Sequence, residues 1–263
     1  MKLTKDNYYS VEANRHYMSV SQYKDFRKCE AAALAKLEPD HKEAKSTAFL
    51  MGSYVHAWND GTLKEFAEQH PELYSTRGAS KGQLKSDFKL ANEMIKVLEN
   101  DKFAMFALDG EKEVIMTGEL YGAPWKIMID NYYPQMGRFS DLKTVADLYK
   151  RIFVEDVGWC SFVEAYGYVT QMAVYSEIES QNRGGDWLES FIVAVSKQDP
   201  PDKAVISIDY ESKAEALNEV GEHMERILQV KHNGAKPNAC GKCDYCRKNK
   251  QLTGVIPYQE LIG

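Results

Sequence analysis

Polar and apolar positions divide this chain into a helical first part, a strand-rich middle and a mixed remainder. SVSQYKDFRKCEAAALAKLE (19–38) reads as a helix capped by Ser19 or Ser21 and stopped by Pro39. Residues 47–69 read as a second helix, with Gly52 inside it. A third spans 83–101, with Leu84, Phe88, Ala91, Ile95 and Leu98 at helical spacing. The period then shortens. EKEVIMTGEL, YGAPWKIMIDNYY and GRFSDLKTV are short β-rich runs separated by Gly or Pro turns, which predicts a three-stranded antiparallel meander. Helix is predicted again over 160–182, strands over Trp187–Ser196 and Ala204–Asp209, and a last helix over 211–231. The order predicts a mixed α/β (α+β) layer fold around one central sheet flanked by helices. With no repeat, low-complexity tract or linker, a single domain (1–263) is expected, its core over about 45–232, followed by a cysteine-bearing segment at 237–250.

Within this pattern, FSDLKT (139–144) stands out. Alternation puts Phe139, Asp141 and Lys143 on one face of a strand. Asp130 ends the preceding run, KIMID, so a hairpin through NYYPQMG brings Asp130 and Asp141 to the same end of the sheet. Two converging carboxylates repel unless a cation lies between them, and hard oxygen ligands suit Mg²⁺ or Mn²⁺. A neighbouring lysine can orient water and stabilise charge on phosphorus. An Asp and a Lys two apart on an edge strand also describe a solvated face. Gly52 and His56 are four apart, hence on one helical face, as are Gln171 and Tyr175. His56 can ligate a metal through a neutral imidazole, or serve structurally. Gln171 and Tyr175 can line a cleft and hydrogen-bond a phosphate, or simply belong to an amphipathic helix. Glu113 and Glu119, on the preceding strand, receive no role.

Composition changes this picture little. The 44% hydrophobic and 27% charged residues are those of a soluble globular protein, and no apolar run approaches the length of a bilayer crossing. The start, MKLTKDNYYS, lacks the apolar core of a secretory signal, so a cytoplasmic location is expected. A net charge of −6 argues against nucleic-acid binding through overall electrostatics, though 33 Lys and Arg leave room for a local basic groove.

Taken in order, G-x-x-x-H, D, D-x-K and Q-x-x-x-Y resemble the PD-(D/E)XK nuclease superfamily, in particular its RecB-like branch and RecE-like phage exonucleases. The resemblance runs over about residues 20–250 and implies a restriction-endonuclease-like core. It implies that Asp130 and Asp141 hold Mg²⁺ with His56 completing the shell, that Lys143 positions the attacking water, and that Gln171 and Tyr175 shape the site. It further implies hydrolysis of double-stranded DNA ends in phage or prophage recombination. A single-strand annealing protein as partner and a ring-like homo-oligomer are the associations it suggests. A catalytically silent DNA-binding or recombination scaffold on the same fold is the rival expectation.

Five cysteines remain to be placed. CGKCDYC gives Cys240, Cys243 and Cys246, a C-x2-C-x2-C run that points to metal ligation, with Cys29 as the natural fourth ligand. RecB-like nucleases of the AddB type join one early and three late cysteines around an iron–sulfur cluster, so the resemblance implies a [4Fe–4S] centre. The last spacing here is shorter than in that family, and zinc or an unmetallated state stays open. Cys160, between Trp159 and Phe162, is expected to be a buried thiol. Lys242, Arg247, Lys248 and Lys250 form a basic patch around the run.

Overall fold

The protein is described from a computed structural model, which covers residues 1–39, 46–155, 157–252 and 254–261; the expected start of the core at 45 lies outside them. Among the described residues seven α-helices come first: α1 Val11–His16, α2 Val20–Lys28, α3 Glu30–Ala35, α4 Thr47–Asn59, α5 Leu63–Gln69, α6 Ser86–Glu99 and α7 Lys102–Ala107. Strands β1 Glu111–Leu120, β2 Ala123–Tyr133 and β3 Arg138–Val145 form the expected antiparallel meander. A small hairpin follows, β4 Ile152–Val154 with β5 Gly158–Cys160, then α8 Phe162–Ala165 and α9 Tyr168–Arg183. The chain continues through β6 Glu189–Ser196, β7 Lys203–Ser207, α10 Tyr210–Lys231 and α11 Asp244–Lys248. The main sheet has order β1-β2-β3-β6-β7, with β6 parallel to β3 and the other pairs antiparallel.

Strand alternation divides the interior in two. Phe139, Ile192 and Ala194 pack with Trp125, Ile127 and Ile129 against α2, α9 and α10. Leu142, Val193 and Val195, from the positions between, pack with Leu50, Val55, Phe88, Met94 and Leu98 of α4 and α6. A sheet covered by helices on both faces follows from the unbroken apolar run Phe191–Val195 in β6.

Several expected helices are shorter or broken. The helix expected over 19–38 breaks at Cys29, whose extended backbone (φ −165°) separates α2 from α3. That over 47–69 breaks where Gly61 takes φ 74° and Gly61 and Thr62 return hydrogen bonds to Trp58 and Ala57 carbonyls, a left-handed helix ending. The helix expected from 160 begins later: Cys160 ends β5, its thiol buried and donating to the Ile152 carbonyl, and Gly167 (φ 64°) divides α8 from α9. Helices α1 and α7 and the β4–β5 hairpin have too few residues to show a period.

Two buried lysines fasten the N-terminal segment. Lys126 Nζ meets the Tyr8 carbonyl and donates to Asn14 Oδ1 (2.7 Å), while Lys231 Nζ donates to the Tyr17 carbonyl (2.8 Å) and Gln22 Oε1 (3.0 Å). Burial pulls Lys231 from 10.5 down to about 8, with Lys126 adding repulsion. A lowered lysine pKa means that the folded state binds fewer protons than the unfolded one between those values, so stability rises with pH from about 8 to 10.5. The expected result is a rising thermal midpoint across that window in wild type, worth at most about 3 kcal/mol. In Lys231→Met the rise is smaller, as calorimetry at several pH values would show.

Candidate active site

The register aligns Glu113 of β1, Asp130 of β2 and Asp141 of β3 in one row, but neither pair completes the ladder. On β1–β2 the pairing skips from Lys112–Asn131 to Val114–Ile129, and on β2–β3 it stops at Asn131–Ser140. The strands fork at this row. Glu113 has φ 53°, a left-handed backbone that costs energy in a residue with a side chain. Inward alternation on β2 also breaks here: Ile127 and Ile129 enter the first core, whereas Asn131 bonds Ser140, which in turn donates to the Ala107 carbonyl of α7. The freed Leu142 N–H donates to Asp130 Oδ2 at 2.8 Å, so one carboxylate occupies the gap in the ladder.

Around the fork stand the other expected residues. His56 Nδ1 is 3.5 Å from Asp130 Oδ2. Gly52, one turn earlier on α4, has no side chain to hold that helix away from β3: a Cβ there would meet Thr144 Oγ1 at 3.3 Å. From α9, Gln171 Nε2 donates to Asp141 Oδ1 at 2.6 Å. Lys143 is ion-paired with Asp141 Oδ2, a buried oxygen that accepts no directional hydrogen bond. Tyr175, a turn beyond Gln171, packs against the first core and is raised well above the usual phenol range by burial and by Tyr8, Asp141 and Asp130.

The electrostatics are those of an acid cluster short of positive charge. Burial, then repulsion from Asp141, holds Asp130 above the ordinary carboxylate range, partly offset by His56 and Lys143. Burial alone would lower Lys143, but Asp141 and Asp130 outweigh it and raise the amine to about 12. Lys143 is therefore an ammonium at neutral pH; its Nζ also lies 5.1 Å from the centre of the Tyr168 ring. Asp130, with His56 beside it, and Asp141, whose Oδ2 accepts no directional hydrogen bond, are hard oxygen and imidazole donors of the kind that suit a divalent cation.

Several neighbours escape sequence reasoning. Asp60 is raised to about 7 by burial, then by Glu113 and Asp130. Its signal was present, since Gly52, His56 and Asp60 continue one i, i+4 series. Glu113, which contacts Lys5, joins the row through β-register. Lys24 Nζ donates to the Tyr166 carbonyl at 2.9 Å and sits 5.6 Å from the Tyr168 ring. Tyr9 is influenced by Asp130, Glu113 and Lys143 because the Lys126 contacts carry the N-terminal segment there. No local pattern announces these three. Away from the fork, Cys29, Cys240, Cys243 and Cys246 come together, all four sulfurs within 4.8 Å of one another, a set able to hold a metal ion. Among the described residues no helix is long and apolar enough to cross a membrane.

A mixed sheet forked at Asp130 and Asp141, with Lys143 two residues on, is the arrangement that the PD-(D/E)XK resemblance leads one to expect. The chain belongs to the family described as PDDEXK-like domain of unknown function (DUF3799), whose model matches residues 19–249. It is similar over 99% of its length, at 42% identity and a TM-score of 0.92, to the crystal structure of a "putative exonuclease" from Eubacterium rectale, of which it covers 98%. A second solved structure, SSO0001, aligns over 86% of this chain and 91% of its own at 14% identity and a TM-score of 0.29. No curated protein matches the chain.

Proposed function

We propose that this protein is a divalent-cation-dependent deoxyribonuclease that degrades double-stranded DNA from its ends, yielding 5′-phosphate and 3′-hydroxyl products. The observation that carries the reading is the convergence of Asp130, Asp141, Lys143, His56 and Gln171 at the β2–β3 fork. Asp130 and Asp141, with His56, would hold Mg²⁺ or Mn²⁺, which supplies Lewis acidity to the phosphodiester and acidifies water. Gln171 fixes the Asp141 carboxylate by donating to Oδ1, leaving Oδ2 toward the site. Lys143, an ammonium paired with that oxygen, donates hydrogen bonds and charge to the developing phosphorane rather than removing a proton in this state. Tyr8 and Tyr175 flank the carboxylates as neutral phenols, since burial holds both above their usual pKa. The exonuclease description of the Eubacterium rectale protein supports attack at ends over internal cleavage. Processing of phage or prophage DNA for recombination is the setting we favour.

The test is degradation of an end-labelled linear duplex beside a covalently closed circle of the same sequence. Loss of label from the linear duplex with Mg²⁺ or Mn²⁺, abolished by a chelator and sparing the circle, is expected; the label's position reports polarity. A wild-type protein inert on both substrates with both cations would instead make the fold a silent DNA-binding scaffold.

A further inference from the structure

The geometry of the four cysteines sets a limit on what they hold. Cys29 Sγ lies 3.6 Å from Cys246 Sγ, Cys240 Sγ lies 3.9 Å from Cys246 Sγ, and no pair exceeds 4.8 Å. A tetrahedral ion with metal–sulfur bonds of about 2.3 Å places its thiolates about 3.8 Å apart. A cubane is larger: each thiolate binds its own iron at a different corner, so the four sulfurs stand about 6 Å apart. The cage fits a single ion and is too small for the [4Fe–4S] centre that the resemblance to AddB-type nucleases implied.

Local structure supports the four sulfurs as thiolate ligands. Gly241 takes φ 75°, which turns the chain after Cys240 so that the Cys243 N–H donates to Cys240 Sγ at 3.3 Å. The Cys240 N–H donates to Cys29 Sγ at 3.4 Å. Such N–H···S bonds stabilise thiolate charge. The cage is also positioned by contacts that need no metal. Arg226 forms a bidentate pair with Glu30 (2.9 and 2.7 Å) and bonds the Lys236 carbonyl. Asn238 pairs its backbone with Ala31 and with the Glu30 carboxylate. The segment before Cys240 is thus docked beside Cys29, whose extended backbone interrupts the α2–α3 helix there.

We infer that Cys29, Cys240, Cys243 and Cys246 hold one structural Zn²⁺, which closes the C-terminal segment onto the α2–α3 junction. Four thiolates leave no open position, so the ion has no part in hydrolysis, and d¹⁰ zinc makes the centre redox-inert. Joining residues about two hundred positions apart through one ion restricts the unfolded chain strongly and couples folding to metal.

The test is metal analysis of the full chain, purified without oxygen from cells supplied with both iron and zinc. One zinc per chain, no acid-labile sulfide and no broad visible absorption are expected. Replacement by Co²⁺ should give the intense visible bands of a tetrahedral tetrathiolate site. Those bands should persist in Asp130→Asn and disappear in Cys243→Ser, the latter with circular dichroism checking that it remains folded. Iron in any stoichiometry, acid-labile sulfide, or protein that carries no metal at the cysteines would overturn the inference. Because the readout is the metal, its failure is distinct from failure of the nuclease reading.

Discussion

Lys143→Ala should lower the initial rate of duplex degradation by about a thousandfold, the cost of removing a preorganised donor from a developing oxyanion. The loss should fall on the chemical step, leaving DNA binding nearly unchanged, since a single buried ammonium adds little to a phosphate-tracking surface. It should carry a second, less usual signature. Lys143 neutralises Asp141, and both side chains are shielded from water. Removing the lysine strands a buried carboxylate beside Asp130, so the cation-free variant should melt several degrees below wild type. Mg²⁺ or Mn²⁺ should restore most of that difference. Single-turnover cleavage and melting curves with and without cation would check both parts. A variant equally stable but active would remove Lys143 from the mechanism.

Asp130→Asn should be just as inactive and move stability the other way. Its carboxylate is pushed above the ordinary range by burial and by Asp141, so the charged form is unfavourable in the folded state. An amide keeps the bond from the Leu142 N–H, because its carbonyl oxygen still accepts, and it removes the like-charge repulsion. A raised carboxylate pKa makes stability fall as pH rises through the folded value. The variant's advantage should therefore be absent in acid and grow toward alkaline pH. In a chain of this length about 1 kcal/mol moves the midpoint by roughly 2–4 °C. Divalent cation should raise the wild-type midpoint and leave the variant's nearly unmoved. A variant that melts below wild type at pH 8 without cation would show that Asp130 is structural.

Together these substitutions separate what a residue does for the fold from what it does for the reaction. The like-charge repulsion that raises Asp130 would also attract a cation, and Lys143 offsets part of it.

Much of this was written in local periods. The alternation in FSDLKTV and the apolar run in SFIVAVS marked the strands, and because side chains alternate along a strand, their successive residues enter opposite cores. Helical spacing put His56 a turn beyond Gly52, and Tyr175 a turn beyond Gln171. Cysteine spacing marked Cys240, Cys243 and Cys246 as candidate metal ligands. Tertiary structure decided the rest. The row of Glu113, Asp130 and Asp141 depends on cross-strand register, and its opening depends on a fork that no single strand encodes. Tyr9 and Lys24 reach the site only because the N-terminal segment is fastened across β2. The size of the cysteine cage depends on how Glu30 and Arg226 seat residues far apart in sequence. Periodicity reports a residue's neighbours along one element; which charges meet across elements is set by the packing that brings those elements together.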